Sequence, residues 1–175
     1  AAAQLRARCP AVRFLLCGSG VSWENPALAR ALQAAGISDG CHLLGERQDM
    51  PRVFAGMDIA TSSSLSEAFP MAVGEAMACG VPCVVTDVGD SALIIGGAGK
   101  VVPPRDAQAL ARAWQELLEE GVRARGRRGE TARRRIEERF SMAASVRRYQ
   151  ELYQTLGFNG FAGRVPLPHK VELSV

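Results

Sequence analysis

The stretch that decides the fold is SEAFPMAVGEAMACGVP, residues 66–82, which joins two short apolar segments through a loop and a helix. The segment before it, 58–62, and the segment after it, 81–86, have the composition of buried strands. Pro70 suits the first turn of a helix, where its missing N–H costs nothing. The helix is predicted to end at Gly80, which can adopt the left-handed cap conformation. The pattern therefore predicts a strand, a loop, a helix and a second strand.

The start of this helix is a predicted anion site. A helix N-terminus offers free N–H groups and a positive dipole end, so the backbone of residues 71–73 is expected to bind a diphosphate. Glu67 lies before the helix and Glu75 inside it, so their carboxylates would flank the phosphate and accept hydrogen bonds from hydroxyl groups. A sugar on one side and a ribose on the other is the simplest interpretation. The alternative is that Glu67 is simply an acid in a loop and Glu75 an acid on the solvated face of a helix. Single glutamates usually lie in such exposed places.

Strands and helices alternate through the first two thirds of the chain. This alternation predicts an α/β fold, with a Rossmann-like parallel sheet covered by helices on both faces. Ligands in such sheets bind beyond the carboxyl ends of the strands, which is where Gly18, Ser64 and Glu67 are expected. The Gly18-Ser19-Gly20 loop is a weak signal alone, because tight turns use the same residues. Further strands are predicted at 12–17, 41–45 and 99–102, and further helices at 23–35 and 49–56.

A helical segment follows the sheet. Asp106 is predicted to cap a first helix, a second helix covers 121–140, and Ser141 is predicted to cap a third. The apolar face of the third helix, formed by Val146, Tyr149 and Tyr153, is expected in the core. Residues 158–175 show no sustained period, so the chain is divided into a domain at 1–157 and an irregular tail at 158–175.

The second of these helices is rich in arginine. One interpretation is a solvated face on which the arginines pair with Glu130, Glu137 and Glu138. The other is a contact with a membrane surface or an anionic acceptor. The arginines are Arg123, Arg125, Arg127, Arg128, Arg133, Arg134 and Arg135.

Composition limits the class of protein. A chain of 175 residues with 47% hydrophobic residues can bury one sizeable core. The formal charge of +3 is mild and 6% aromatic residues leave few stacking platforms, so a nucleic-acid binder is not indicated. The five cysteines have no metal-ligand spacing and are expected to be reduced, buried thiols of a cytoplasmic protein. No apolar run reaches the roughly 20 residues of a membrane span and no signal peptide is recognised, so any membrane contact is expected to be peripheral, at the inner face.

The two glutamates carry a resemblance to a known family. Glu67-Ala-Phe-Pro followed by Glu75-Ala-Met-Ala-Cys-Gly-Val-Pro resembles the Glu, seven residues, Glu signature of the group-one retaining glycosyltransferases with the GT-B fold. The resemblance covers about residues 1–156 and implies the carboxyl-terminal half of that architecture, which binds the nucleotide-sugar donor. It includes segments 17–20, 58–75, 80–82, 86–89 and 99–104.

The resemblance implies roles for individual residues. Glu67 is expected to be the catalytic residue that contacts donor-sugar hydroxyls near the reacting carbon, and Glu75 is expected to hold the ribose hydroxyls. The loop 45–47, with Arg47, is expected where the base is read. No metal and no cofactor are expected, since the family requires none. The predicted donor site also contains Gly18, Gly20, Ser64, Ala68, Phe69, Pro70, Met71, Ala72 and Val73.

Some features of the family are missing from this sequence. Leu93 stands where many members have a glutamate, and Asp90 replaces the second glycine of a Gly-Gly turn. The basic Arg and Lys pair that the family places on the diphosphate would precede Ala1. The amino-terminal acceptor domain, expected as a partner besides the nucleotide sugar, would also precede Ala1.

The sequence therefore predicts the donor-binding half of a retaining glycosyltransferase. It would transfer a sugar from a nucleotide-diphosphate sugar to an acceptor hydroxyl, in glycan, polysaccharide or glycolipid synthesis. Two alternatives stay open: a nucleotide-sugar-binding module without turnover as isolated, and a GT-B-like nucleotide-sugar epimerase. The sugar, the base and the acceptor are not determined by these residues.

Overall fold

The computed structural model describes residues 1–156, so the predicted tail at 158–175 and its boundary lie outside the described residues. The strands are β1 Phe14–Leu16, β2 Cys41–Leu43, β3 Ala60–Ser62, β4 Cys83–Thr86 and β5 Lys100–Val102. The α-helices are α1 Ala2–Arg8, α2 Pro26–Ala34, α3 Met50–Ala55, α4 Met71–Ala78, α5 Ser91–Ile95, α6 Ala107–Glu119, α7 Gly121–Arg139 and α8 Met142–Thr155. Two 3₁₀ turns cover Ser38–Gly40 and Gly96–Ala98.

The strands are parallel and belong to two sheets. β1 pairs with β2, with Phe14 opposite Cys41, and β3, β4 and β5 pair in that order. The α/β class with parallel strands flanked by helices is therefore confirmed, as is the helical segment after the strands. Every strand is shorter than its predicted range, because ladder hydrogen bonds form only where neighbouring strands run side by side.

Trp114 of α6 joins the two sheets. Its ring centroid lies 5.7 Å from that of Phe14 on β1, and its Nε1–H donates to Thr61 Oγ1 on β3 at 2.8 Å. The same face of α6 packs on Leu5 of α1 and Val84 of β4, which are fully buried. One helix thus forms the core that both sheets share.

The other face of the larger sheet is covered by α4, α5 and α7. Met77 on α4, Val85 on β4 and Ile94 on α5 are fully buried in one cluster. Helix α7 approaches the end of α4 so closely that a Cβ at Gly129 would overlap with the carbonyl oxygen of Gly80. This contact fixes the distance between α7 and the end of the helix that carries Glu75.

The helical segment has both predicted caps. The Asp106 carboxylate accepts from the Ala109 N–H at 2.8 Å, and the Ser141 hydroxyl accepts from the Ala144 N–H at 3.2 Å. The expectation that Tyr149 and Tyr153 lie in the core is wrong, since 61% and 41% of their surfaces are exposed. Helical spacing predicts which residues share a face, but it does not show that a neighbour covers that face.

Within residues 1–156, three of the seven named arginines of α7 bind partners other than the predicted glutamates. The interpretation as pairs within α7 is confirmed only for Arg133, whose Nε lies 2.9 Å from Glu137 Oε1. Within residues 1–156, Arg125 and Arg135 hold α7 to other elements, and Arg128 binds the residue that caps α7; periodicity within one helix predicts none of these contacts. These are Arg125 with Asp58 and the Leu118 carbonyl, Arg128 with Glu120, and Arg135 with the carbonyls of Leu93 and Ile94.

All five cysteines are free thiols, but only Cys41 and Cys83 are buried. The expectation that all of them are buried is wrong for the three half-buried ones, Cys9, Cys17 and Cys79. Burial raises the pKa of the Cys83 thiol to about 12, so this thiol stays protonated at neutral pH. None of the helices within residues 1–156 has the length and apolar character that crossing a membrane requires.

Candidate functional site

The predicted site lies on two loops at the carboxyl ends of neighbouring strands. Residues 63–70, here named the Glu67 loop, connect β3 to α4. Residues 86–90, here named the Gly89 loop, begin at the last residue of β4 and lead to α5. Because β3 and β4 are parallel neighbours, their carboxyl ends lie at the same edge of the sheet, which is where α/β folds bind ligands.

Glu67 is held by a serine of its own loop. Ser64 Oγ donates to Glu67 Oε1 at 2.7 Å, and both residues are half-buried. Within residues 1–156 this is the only hydrogen bond of the Glu67 side chain, so its second oxygen is available to a ligand hydroxyl. Ser62 Oγ lies 3.4 Å from Ser64 Oγ. The structure thus brings Ser64 and Glu67 into contact, and their role in binding a donor stays a prediction.

The Gly89 loop contacts the Glu67 loop through Thr86, Gly89 and Asp90. The Thr86 hydroxyl donates to the Ser64 carbonyl at 2.6 Å, and the Asp90 N–H donates to the Ala68 carbonyl at 2.9 Å. Gly89, with φ of 51°, lies directly against the Glu67 backbone. The family resemblance covers segment 86–89, but the predicted donor site included none of these three residues, because contacts between distant segments leave no local pattern.

The start of α4 offers two free N–H groups. Pro70 is the N-cap residue, and its carbonyl accepts from the Val73 N–H at 3.1 Å and from the Gly74 N–H at 3.5 Å. The prediction of three available amides is therefore wrong for Val73. The N–H groups of Met71 and Ala72 have no acceptor within the described part of the chain. These two amides lie at the positive end of the α4 dipole, directly after the Glu67 loop.

Phe69 and Pro70 fix the entry into α4. Pro70 is buried, and the Phe69 ring centroid lies 5.9 Å from that of Phe140, the residue after α7. The Arg135 guanidinium lies 5.9 Å from the centroid of the same Phe140 ring while it binds the end of α5. Arg135 and Phe140 are thus supports of the site that the sequence analysis did not identify.

Glu75 is exposed on α4. It forms no hydrogen bond and no ion pair with any residue from 1 to 156, so its carboxylate is available to a ligand. Its proposed role at a ribose stays a prediction. Within the same range, His, Cys, Asp and Glu side chains do not assemble in groups of three or more that could hold a metal ion.

Gly18, Gly20 and Arg47 belong to a second group of residues, at the end of the smaller sheet. The Gly18 N–H donates to the Gly45 carbonyl at 2.9 Å, and the Gly45 N–H donates to the Val21 carbonyl at 3.0 Å. Gly18 and Gly20 have φ of 146° and 71°, so backbone conformation alone explains both glycines. In the described part of the chain no hydrogen bond joins this group to the Glu67 loop.

Arg47 forms an ion pair with Asp49. Its Nε and Nη2 donate to the two carboxylate oxygens of Asp49 at 2.8 Å and 2.7 Å. This bidentate pair lowers the pKa of Asp49 and raises the pKa of Arg47. The guanidinium is thereby oriented by Asp49, and part of it remains exposed to a ligand.

The comparison with known proteins decides the family. The model of the glycosyl transferases of group 1 matches residues 1–120. The chain belongs to the group 1 glycosyltransferases. This glycosyltransferase domain is 33% identical over 127 residues to the D-inositol 3-phosphate glycosyltransferase of Mycobacterium marinum. The aligned residues cover 69% of the domain and 27% of that relative. The domain spans between 16% and 37% of the length of the curated relatives that it matches.

Solved structures agree with the GT-B assignment of this glycosyltransferase domain. Sucrose-phosphate synthase of Thermosynechococcus elongatus superposes with a TM-score of 0.77 at 25% identity, covering 90% of the domain and 41% of the synthase. HepE of Anabaena, solved in complex with UDP, superposes with a TM-score of 0.75 at 24% identity, covering 89% of the domain and 44% of that chain. HepE has also been solved in complex with UDP-glucose.

Proposed function

We propose that this domain is the donor-binding half of a retaining glycosyltransferase that uses a nucleotide-diphosphate sugar. The observation that carries the proposal is the Glu67 carboxylate, held by Ser64 with one oxygen free, directly before the two free amides of α4. Membership of the family and the UDP and UDP-glucose complexes of the structural neighbour HepE support it. The whole protein would serve glycan, polysaccharide or glycolipid synthesis.

The chemistry follows from these groups. The leaving diphosphate would accept hydrogen bonds from the Met71 and Ala72 amides at the positive end of α4, which stabilises the charge that develops on it. Glu67 would bind sugar hydroxyls beside the carbon where positive charge develops. Glu75 would accept from the ribose hydroxyls. The acceptor hydroxyl attacks the face that the diphosphate leaves, so the anomeric configuration is retained, and the transfer as proposed needs no metal.

The proposal includes partners and a location. An amino-terminal acceptor domain would close over the site, and the domain without it would bind the nucleotide sugar without turnover. The free thiols support a reducing, cytoplasmic location. The exposed arginines of α7, such as Arg123 and Arg127, would suit an anionic acceptor or the membrane surface.

Glu75→Ala is expected to weaken the binding of UDP tenfold or more. A charge-assisted hydrogen bond contributes roughly 1.5 to 3 kcal/mol, and the substitution removes the carboxylate proposed for the ribose. Titration calorimetry with UDP measures the change. Glu130→Ala is the matched control, because Glu130 is also an exposed helical glutamate but lies on α7. Equal affinities of wild type and Glu75→Ala would remove Glu75 from the site.

Glu67→Ala is expected to remove the preference for the sugar-bearing ligand and to spare UDP. The measured quantity is the ratio of the affinities for UDP-glucose and UDP, with other nucleotide sugars added if UDP-glucose does not bind the wild type. A lost hydrogen bond to a charged group corresponds to about a tenfold fall of that ratio. An unchanged ratio, or equal losses for both ligands, would contradict the assignment.

A further inference from the structure

We infer that the Gly89 loop, residues 86–90, is the device that positions the Glu67 carboxylate. Its consequence for sugar recognition rests on the function proposed above, whereas its consequence for the geometry of Glu67 does not. The inference depends on a series of contacts that begins in the buried sheet and ends at the carboxylate. These contacts come from β4 and the start of α5, a different part of the chain from the Glu67 loop.

The first contact is made by Thr86, the last residue of β4. Only 4% of its surface is exposed, and its hydroxyl donates to the Ser64 carbonyl at 2.6 Å. Ser64 in turn donates its own hydroxyl to Glu67 Oε1 at 2.7 Å. A buried hydroxyl thus fixes the backbone of the residue that orients the carboxylate. Thr86 itself does not touch Glu67, so it is a positioning residue.

The second and third contacts hold the other end of the same segment. The Asp90 N–H donates to the Ala68 carbonyl at 2.9 Å. A Cβ at Gly89 would overlap with the Glu67 carbonyl oxygen and would lie 2.6 Å from the Ala68 carbonyl oxygen. Gly89 also has φ of 51°, in the left-handed region that favours glycine. Glycine at this position therefore allows the two backbones to meet.

Together the contacts fix segment 64–68 at both ends, at Ser64 and at the backbone of Glu67 and Ala68. The segment cannot shift relative to β4 unless the Thr86 and Asp90 hydrogen bonds break or the Gly89 contact opens. Because only Ser64 and the backbone of Glu67 and Ala68 are touched, the free oxygen of Glu67 remains available to a ligand. The Gly89 loop would accordingly affect recognition of the sugar and would not affect the proposed ribose contact of Glu75.

Thr86→Val tests the first contact, because valine keeps the shape of threonine and removes the hydroxyl. We expect the UDP-glucose to UDP affinity ratio to fall about two- to tenfold, the range of one neutral hydrogen bond, while UDP affinity changes little. Thr86→Ser is expected to restore the ratio, which a general loss of stability would not do. Thr131→Val is the control, since it removes a hydroxyl bond to the Arg127 carbonyl on α7, away from the site.

Gly89→Ala tests the backbone contact, with Gly36→Ala as its control. Gly36 has φ of 64° and a Cβ there would meet no atom within 4 Å, so its variant introduces similar backbone strain without the overlap. We expect only Gly89→Ala to lower the affinity ratio. Should Gly89→Ala fail to fold, the Thr86 variants still decide the inference.

A crystal structure of Thr86→Val without ligand separates this inference from the proposed function. Displacement of Ser64 and loss of its contact with Glu67 would support the inference, even if the wild type bound neither UDP nor a nucleotide sugar. Retention of that 2.7 Å contact in the variant would overturn it. With ligand binding present, an unchanged affinity ratio in Thr86→Val would also overturn it.

Discussion

Gly129→Ala is expected to destabilise the domain by about 3 kcal/mol or more, the upper range for overpacking a tight contact. The new Cβ would overlap with the carbonyl oxygen of Gly80, and a backbone oxygen between α4 and β4 cannot turn away as a flexible side chain can. Helix α7 would have to move away from α4, against which it packs over Met77 and Ala132. Urea unfolding followed by circular dichroism measures the change in the free energy of unfolding.

Gly126→Ala is the matched control for this prediction. Gly126 lies in the same helix, is exposed, and a Cβ there would meet no atom within 4 Å. The alanine is expected to stabilise α7 by up to about 1 kcal/mol, since glycine is the weaker helix former. Opposite signs for the two variants would support the close approach of α7 to Gly80. Similar effects of both substitutions would contradict it.

Trp114→Ala is expected to cost about 3 to 5 kcal/mol, the range for truncating a large buried aromatic residue. Trp114 is buried between the sheets, where it packs on Phe14 of β1 and donates to Thr61 of β3. Its removal takes away the side chain that both sheets contact, so the smaller sheet is expected to lose protection first. Hydrogen exchange of the amides of β1 and β2, compared with those of β4, measures this order.

Trp114→Phe is the control, because phenylalanine keeps a ring against Phe14 and removes only the N–H. The expected cost of the lost hydrogen bond to Thr61 is about 1 kcal/mol, since the exposed Thr61 hydroxyl can bond to water instead. If Trp114→Ala cost no more than Trp114→Phe, the packing between the sheets would not depend on this residue. Equal exchange rates in β1 and β4 of Trp114→Ala would contradict the order.

The alternation of strands and helices was predictable because it depends on residues that are close together in the sequence. Buried parallel strands are continuous apolar runs, as at β4, and caps such as Asp106 and Ser141 act within a few residues. The exposure of Tyr149 was not predictable, since it depends on whether another segment covers α8. Local sequence determines elements and their faces, and packing determines which faces are buried.

The same distinction applies to the site. Ser64 and Glu67 are three residues apart in one loop, so their hydrogen bond joins residues that are near each other in the sequence. The contact between Thr86 and Ser64 spans 22 positions, and Arg135 reaches Ile94 across 41. Such contacts depend on how the sheet brings loops together. The sequence motif therefore contains the groups proposed to meet the ligand, whereas most of their supports lie elsewhere in the chain.

The division of the strands into two sheets has a consequence for handling the protein. Sheets of two and three strands have four edge strands, where a single five-stranded sheet would have two. Each edge presents backbone N–H and C=O groups that a strand of another molecule can pair with. On β1, 40% of the surface of Leu15 is exposed. The strand, Phe14–Leu16, contains no charged residue that would oppose such pairing. Within residues 1–156 the outer edge of β1 has no partner strand, so a strand of another molecule that pairs there would extend the smaller sheet.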